Sequence, residues 1–313
     1  MLPKKRAEQV KAYAAALEFD ACGIAAAGFP DPEDRLGAWL AQGFDAGMAW
    51  MAKTKAIRQD VRERMPGARS VVVVARSYYS KRPEPPVNSG RVSRHAWGRD
   101  YHAVLRRPVQ TLADYIAGLE SGALCFWSVD TGPVMEKAWA VRAGLGWIGK
   151  NGLVLREGLG SWFFLGVIAT TVELAWDEPA ADRCGACAKC IEACPTRAIV
   201  APHVVDSRRC ISYHTIEQRG AIPPEMCREM GTWVFGCDLC QEVCPWNHRI
   251  EETSEKAFHP DPKVANPDLH VLAQIDDERF RITFAGSVLF RTKSECIRRN
   301  ARIVLENQRR QVT

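Results

Sequence analysis

The sequence predicts an α+β fold, and three observations support that prediction. First, three runs rich in β-branched and aromatic residues indicate strands, at residues 71–79 (VVVVARSYY), 124–129 (LCFWSV) and 161–174 (SWFFLGVIATTVEL). Second, apolar residues at helical spacing predict a helix near each end of the chain, formed around Ala7, Val10, Ala14 and Leu17 and around Phe290, Ile297, Ala301 and Val304. Third, residues 182–250 are rich in cysteine and poor in apolar periodicity, which indicates folding around a cofactor.

These patterns divide the chain into three predicted domains, 1–178, 179–250 and 251–313. The first contains the sheet, together with a predicted helix in VMEKAWAVRAGLGW that ends at a glycine. It also contains a proline-rich surface loop at residues 81–91 (KRPEPPVNSGR), of the kind that either borders a site or simply connects two elements. The third domain is helical and basic, and we expect it to form a short HEAT-like unit.

The composition indicates a globular protein that does not enter a membrane. The chain has 313 residues, of which 47% are hydrophobic and 25% charged, and no apolar run reaches the roughly 18 residues of a membrane span. The N-terminal residues do not show the pattern of a signal peptide, so we expect a cytoplasmic protein. In that reducing compartment, the 12 cysteines are expected to bind metal rather than to form disulfides.

The segment CGACAKCIEACP at residues 184–195 has the spacing of an iron-sulfur site. Its pattern, C-x2-C-x2-C-x3-C-P, is that of bacterial ferredoxins, in which the first three thiolates bind one cluster and the fourth binds the other. A structural zinc site is the alternative, but zinc sites separate their two cysteine pairs by a dozen or more residues. The spacing therefore predicts a 4Fe-4S cluster.

A second run, CDLCQEVCP at residues 237–245, lacks its first cysteine, because Val234 occupies that position. Cys210 and Cys227 are the two candidates for the missing ligand. Residues 196–210 resemble the strand, turn and aspartate that precede the second run of a two-cluster ferredoxin, which favours Cys210 over Cys227. Crossed ligation then gives cluster 1 the residues Cys184, Cys187, Cys190 and Cys244, and cluster 2 the residues Cys194, Cys210, Cys237 and Cys240.

Five further segments, in this order along the chain, resemble the epoxyqueuosine reductase family: PGARSVVVVARSYY, GRDYH, VDTGPVMEKAWAVRAGLGWIGKNGLV, CISYHTIEQRG and FGCDLCQEVCPWN. The resemblance covers residues 5–250. It implies a cobalamin-dependent oxidoreductase that reduces epoxyqueuosine to queuosine at the wobble position of tRNA, with two 4Fe-4S clusters supplying the electrons. It also implies that cobalamin lies base-off between the first domain and the ferredoxin-like module.

The resemblance implies roles for three residues near the substrate. Asp130, in VDTGP, matches the family's proton donor, and we expect an apolar cavity to raise its pKa and keep it protonated. A turn-capping aspartate is the alternative. Asp100 and His102 in GRDYH are implied to lie near the substrate as polar or relay residues, with a solvated loop pair as the alternative. They do not form the cobalt-ligating D-x-H-x-x-G motif, because position 105 is Leu105.

The family pattern also implies a set of corrin contacts, namely Lys53, Ser93, Asp130, Asn151, Val154, Leu165, Ser212 and Asp238. Two of these positions depart from the usual pattern. Family members often carry arginine where this chain has Lys53, and some carry cysteine where it has Ser93. Lysine keeps the positive charge of the first position, and serine keeps the polarity of the second.

The C-terminal region is the predicted tRNA contact. Although the net charge is only +5, residues 279–313 concentrate basic side chains, and one continuous helix would place four of them on one face: Arg291, Arg298, Arg302 and Arg309. A solvated helix face is the alternative. We also expect a monomer and an external low-potential donor such as flavodoxin or ferredoxin. The rival functions are a reductive dehalogenase-like enzyme acting on small molecules and a non-catalytic electron carrier.

Overall fold

An antiparallel sheet forms the centre of the first 175 residues. The structure is a computed structural model and describes residues 2–312. The main sheet has the strand order β1-β2-β7-β4, and each adjacent pair is antiparallel. The strands are β1 (Ala21–Ala26), β2 (Ser70–Ser77), β3 (Arg91–Val92), β4 (Cys125–Ser128), β5 (Trp147–Ile148), β6 (Val154–Leu155), β7 (Phe163–Thr170), β8 (Ile199–Ala201), β9 (Val204–Val205) and β10 (Trp233–Phe235).

Helices cover both faces of this sheet. The α-helices are α1 (Pro3–Ala16), α2 (Arg35–Ala41), α3 (Trp50–Lys53), α4 (Lys55–Gln59), α5 (Val61–Arg64), α6 (Tyr101–Ala117), α7 (Glu136–Arg142), α8 (Lys189–Glu192), α9 (Ile211–Ile216), α10 (Pro224–Glu229), α11 (Leu239–Glu242), α12 (Pro262–Ala265), α13 (Leu269–Gln274), α14 (Asp277–Thr283) and α15 (Ser294–Val312). Alternate residues of β2 pack against different helices, as the period of a strand requires. Val72 and Val74 face α1 and α6, whereas Val71 and Val73 face α7.

The predicted elements of the sheet domain are confirmed. The three predicted strands correspond to β2, β4 and β7, and the first helix buries Ala7, Val10 and Ala14. The predicted helix before Gly144 is α7, and Gly144 has the positive φ of +70° that ends a helix at glycine. Strand β1 was missed, because its sequence ACGIAA has little β-propensity; β1 is recognisable only from its pairing with β2.

The cysteine-rich module consists of short helices and two-stranded pairings. Strands β8 and β9 form a hairpin, and α8 and α11 follow the first cysteines of the two runs. Strand β10 pairs in parallel with β3, whose first residue, Arg91, is also the last residue of the proline-rich loop. The end of the loop therefore contacts this module through the β3–β10 pairing.

The C-terminal region is helical and packs into the rest of the chain. Residues of α13, α14 and α15 share one core cluster with Trp97 and Phe235. The last helix begins at Ser294 and so does not include Phe290, because Lys293 has a φ of +68° and separates the helix from a 3-10 segment at Val288–Thr292. Phe290 is 49% exposed and does not lie on the buried face that was predicted for it. The HEAT-like arrangement and the three domain boundaries remain predictions.

Candidate functional site

A large cavity lies between the sheet domain and the cysteine-rich module. Its volume is about 1230 Å³, which exceeds the roughly 300–1,000 Å³ of pockets that bind drug-sized ligands. The sheet domain contributes Tyr78 and Phe163 to its lining, and the module contributes Leu239 and Gln241. The cavity thus has the size and position for a large cofactor held between the two parts.

Five of the eight predicted corrin contacts line this cavity: Ser93, Asn151, Val154, Leu165 and Ser212. Asp238 lies behind the wall, fully buried, where it accepts hydrogen bonds from the Ser93 hydroxyl and the Arg94 amide. Asp130 adjoins the cavity through Tyr101, which lines it. Lys53 is exposed and is not part of the wall, so its predicted contact with the corrin is not supported by its position.

Asn151 has an unsatisfied donor at the cavity wall. Its side chain is buried, and the Oδ1 atom accepts a hydrogen bond from the Leu153 amide at 3.2 Å. The Nδ2 atom is buried and has no partner within the described part of the chain. Because an unpaired buried donor is costly, a ligand that accepts a hydrogen bond here would be stabilised. The wall therefore fits a cofactor with peripheral polar groups.

The eight predicted cluster cysteines are divided between two cavities in the predicted way. The large cavity is lined by Cys194, Cys210, Cys237 and Cys240. A smaller cavity of about 270 Å³ is lined by Cys184, Cys187, Cys190 and Cys244. The set that contains Cys194, hereafter the inner set, thus borders the predicted cofactor site, and the set that contains Cys184, hereafter the outer set, lies in a separate cavity.

The position of Cys210 supports its assignment as the displaced ligand. Cys210 ends the 3-10 turn before α9 and lines the large cavity with the other three cysteines of its set. Cys227 lies in α10, lines neither cavity, and directs its thiol towards the carbonyl oxygen of Ile222 at 3.5 Å. It packs with Met226 and Ile222, as a structural thiol does. The ligand sets themselves remain predictions.

The donor chemistry of the cysteine sets fits iron-sulfur clusters. Burial raises the pKa of the Cys237 thiol, and the nearby charges of Cys210 and Asp238 raise it further. Four neighbouring thiolates of this kind become stable only when positive metal charge is present. Within residues 2–312, no three His, Cys, Asp or Glu side chains converge on a single ion position. Each cavity is lined by four cysteines, the number of ligands that a 4Fe-4S cluster takes.

Asp100, His102 and Asp130 form one hydrogen-bonded chain. Asp100 caps α6 by accepting the His102 amide at 2.9 Å, and its Oδ1 also lies 2.7 Å from His102 Nδ1. His102 Nε2 lies 3.1 Å from Asp130 Oδ2, and the Tyr101 hydroxyl donates to the same oxygen at 2.9 Å. The structure thus brings together the three residues that the resemblance linked to the substrate.

The expected rise in the pKa of Asp130 is wrong. Burial alone would raise it, but the hydrogen bonds from His102 and Tyr101 and the positive charges of His102 and Arg291 outweigh burial and lower it. Conversely, burial alone would lower the pKa of His102, but Asp100 and Asp130 raise it to about 9. The Asp130 side chain is 53% exposed, so the apolar surroundings assumed from the sequence are absent. Near neutral pH the proton is on His102.

Asp130 does not act as the cap of its own turn. It follows β4 with a φ of +57°, a left-handed conformation that costs free energy for a residue other than glycine. The Ser128 hydroxyl takes the capping role by accepting a hydrogen bond from the Gly132 amide at 3.0 Å. The Asp130 carboxylate is therefore directed at Tyr101 and His102, in a strained conformation of the kind that is common at functional sites.

Sequence reasoning missed Tyr101. Its ring stacks on His102 and on Phe164 of β7, with centroid distances of 4.0 Å in both cases. The sequence did contain a signal for it, because Asp100 is a residue type that caps helices. A helix that begins after Asp100 places Tyr101 and His102 together in its first turn. Tyr101 both lines the cavity and holds the Asp130 carboxylate.

The predicted tRNA arginines do not lie on one helix. Arg291 belongs to the 3-10 segment, where it pairs with Glu217 at 2.8 Å and lies over the ring of Trp50. On α15, Arg298 pairs with Asp277 at 3.1 Å, and Arg302 is exposed and donates to the Ala273 carbonyl. Arg309 is exposed near the end of α15. Arg291 is thus the member of this set whose charge acts on Asp130.

Two family models match the chain. The model described as a 4Fe-4S double cluster binding domain matches residues 183–247, which contain both cysteine runs. The model described as epoxyqueuosine reductase QueG, DUF1730, matches residues 58–131, which include Asp100, His102 and Asp130. The two matches thus cover the cluster ligands and the hydrogen-bonded chain described above.

Curated relatives decide the family. An epoxyqueuosine reductase from a Synechocystis strain is 47% identical over 276 residues, which is 87% of this chain and 94% of the relative. One from Gloeobacter violaceus is 46% identical over 306 residues, which is 96% of this chain and 95% of the relative. The chain belongs to the epoxyqueuosine reductase family. Members of this family depend on cobalamin, and the double-cluster domain provides for two 4Fe-4S clusters.

Solved structures of epoxyqueuosine reductases share the fold. One in complex with an epoxyqueuosine-modified stem loop of tRNA-Tyr has a TM-score of 0.88 and 31% identity, with 96% of this chain and 80% of that chain covered. A Bacillus subtilis structure, with the loop of its catalytic aspartate swung out of the active site, has a TM-score of 0.87 and 30% identity, with 96% and 81% covered.

Proposed function

We propose that this protein reduces epoxyqueuosine in tRNA to queuosine, the last step of that modification. The observation that supports this most strongly is one cavity that borders four predicted cluster cysteines and adjoins the Asp100-His102-Asp130 chain through Tyr101. Electrons and a proton can therefore arrive at the same place. Reduction of an epoxide with release of its oxygen as water consumes two electrons and two protons, of which the His102–Asp130 pair would deliver the first and solvent the second.

The cavity would hold cobalamin through the wall that the structure presents. When bound, cobalamin supplies the reducing chemistry, and the two 4Fe-4S clusters supply its electrons. Ser93, Asn151 and Ser212 offer polar groups to the corrin, while Val154 and Leu165 offer apolar surface. These contacts are proposals about this chain's residues.

His102 and Asp130 would deliver the proton. His102 stores it, because its imidazolium is stabilised by a carboxylate on each side. Asp130 passes it to the epoxide oxygen, which leaves poorly as an alkoxide. Tyr101 holds the carboxylate in place, and Asp100 fixes the orientation of the imidazole. In this scheme Asp130 is the group that touches substrate, and its proton comes from His102.

The tRNA would bind along the C-terminal arginines. Arg291 stands nearest to the proposed proton path, and Arg298, Arg302 and Arg309 continue the positive charge along α15. A related enzyme binds a modified tRNA stem loop, which supports tRNA as the substrate here. Phosphate contacts of this kind give affinity that depends on salt.

The remaining assignments follow from this function. An external low-potential protein such as flavodoxin or ferredoxin would supply the electrons, and the protein would act as a monomer in the cytoplasm, where tRNA is modified. Within residues 2–312, no helix combines the length and the apolar character that crossing a membrane requires.

The function can be tested on protein purified without oxygen. Optical spectroscopy and metal analysis should detect cobalamin and two iron-sulfur clusters. Addition of a low-potential reductant and tRNA carrying epoxyqueuosine should then give queuosine. Protein that contains both cofactors but forms no queuosine would contradict the proposal, and protein that contains clusters but no cobalamin would favour an electron carrier.

A further inference from the structure

Three arginines from the proline-rich loop and the residues after it converge on the second cysteine run. Arg82, Arg91 and Arg94 have side chains that are 17%, 30% and 11% exposed. They surround two acids of the run, Asp238 and Glu242, whose side chains are 0% and 23% exposed. This arginine cluster, Arg82, Arg91 and Arg94, is not explained by substrate or corrin binding.

The contacts form one continuous network. Arg91 Nη2 lies 2.8 and 2.9 Å from the two carboxylate oxygens of Glu242, and Arg94 and Arg82 lie 3.1 and 3.4 Å from the same acid. Arg94 and Arg82 also approach Asp238, at 3.5 and 3.6 Å. Each guanidinium also lies over an indole ring. The distances to the ring centroid are 4.8 Å for Arg82 over Trp97, 4.3 Å for Arg91 over Trp233 and 4.7 Å for Arg94 over Trp162.

The network carries an excess of positive charge. Three arginines face two acids, which leaves a net charge of +1. The Nε and Nη1 atoms of Arg82 and the Nε atom of Arg91 are buried and have no partner within residues 2–312. Burial and the neighbouring charge of Arg91 lower the pKa of Arg82 to about 10, so it is still protonated at neutral pH.

This charge lies beside the inner cysteine set. Asp238 directly follows Cys237 and Glu242 lies two residues after Cys240, so the arginines contact this run next to both of these predicted ligands. Three basic residues line the smaller cavity beside the outer set. Arg183 and Lys189 are exposed and Lys150 is half-buried, and water and salt screen exposed charges. Ser93, next to Arg94, lines the large cavity, whereas none of the three arginines lines the smaller one, so the buried excess charge lies nearer to the cluster beside the large cavity.

We propose that the arginine cluster raises the reduction potential of the 4Fe-4S cluster held by Cys194, Cys210, Cys237 and Cys240. Reduction adds one electron to that cluster, and a buried net positive charge stabilises the added negative charge. An inner cluster with the higher potential draws electrons from the outer cluster towards the cavity. This inference rests on the proposed function only for the assignment of the clusters.

The test is a redox titration of anaerobically purified holoprotein, followed by electron paramagnetic resonance. Arg82→Gln removes one positive charge, so at a fixed potential the reduced-to-oxidised ratio of one cluster should fall about tenfold, a shift of about 59 mV to more negative potential. Glu242→Gln removes one negative charge and should shift the same signal in the opposite direction. Arg82→Lys keeps the charge and should stay close to wild type.

A purely structural role predicts a different result. In that case the variants would lower the thermal unfolding midpoint without opposite shifts in potential, and this outcome would overturn the inference. If Arg82→Gln does not assemble clusters, Arg91→Gln tests the same charge at a more exposed side chain. Absence of cluster signals from the wild type would contradict the cluster assignment itself, which separates failure of the proposed function from failure of this inference.

Discussion

His102 Nε2 lies 3.1 Å from Asp130 Oδ2, and this contact joins α6 to the loop after β4. It reverses the protonation state that the sequence predicts for Asp130, because the carboxylate is ionised and the His102 imidazole is protonated. His102 therefore stores the proton for epoxide opening, and the neighbouring side chain of Asp130 delivers it. The pH dependence of the enzyme should reflect that arrangement.

We expect activity to fall as the pH rises through about 9. Asp100 and Asp130 raise the pKa of His102 from 6.5 to about 9. The attraction between the His102 imidazolium and these carboxylates is therefore fully present below pH 6.5 and is lost as the pH passes 9. The pKa of Asp130 is lowered, so its contribution is present above the unfolded value and is lost in acid. The measurement is kcat/KM for queuosine formation across the alkaline range.

His102→Gln provides the matched variant for that profile. Glutamine can hydrogen-bond to Asp130 but cannot store the proton, so kcat should fall by about 10²–10⁴ and the decline near pH 9 should disappear. A variant that keeps the wild-type alkaline decline would show that another group titrates there.

Cys210→Ser should cost one cluster, whereas Cys227→Ser should cost none. Cys210 lines the cavity with its three partners, while Cys227 directs its thiol at a backbone carbonyl. We expect the first variant to contain about half of the wild-type iron and the second to contain all of it. Iron analysis gives the answer, and the opposite result would make Cys227 the ligand.

Asn151→Asp should weaken cobalamin binding by up to about tenfold, because it removes the unpaired Nδ2 donor but keeps the Oδ1 acceptor for Leu153. Lys53→Ala, outside the cavity wall, is the control and should bind cobalamin as the wild type does. The measurement is the cobalamin-to-protein ratio after purification. Because Asn151 also lines the smaller cavity, a loss of iron instead of cobalamin would assign its donor to a cluster.

Arg302→Ala should weaken tRNA binding and reduce its salt dependence. A side chain that contacts one phosphate contributes about one unit to the slope of log K against log salt. Arg183→Ala is a matched control, because Arg183 is an exposed arginine beside the smaller cavity. Binding isotherms of a tRNA stem loop at several salt concentrations provide the slope. Equal slopes for Arg302→Ala and the wild type would remove Arg302 from the interface.

The sequence predicts the elements of this molecule better than its contacts. The β2 run SVVVVARS and the cysteine spacings carry local signals strong enough to indicate a strand and two cluster sites. The alanine-rich β1 has no comparable signal, and the pairing of β3 with β10 joins segments that are far apart in the chain.

The electrostatics of the site depend on such distant contacts. The pKa of Asp130 is determined by His102 and Tyr101, which belong to another element, so a rule based on burial alone gave the wrong direction. The family resemblance indicated residues that the structure brings together, but it did not show which of them holds the proton. That distinction requires the relative positions of α6 and β4.

The most direct test of the account compares wild-type protein with Asp130→Asn, both purified without oxygen and supplied with reductant and epoxyqueuosine-tRNA. Asparagine keeps the size of the side chain but cannot pass a proton. The account predicts that both proteins contain cobalamin and two clusters, and that the variant forms queuosine about 10²–10⁴ times more slowly. Queuosine formation at the wild-type rate by Asp130→Asn would contradict it.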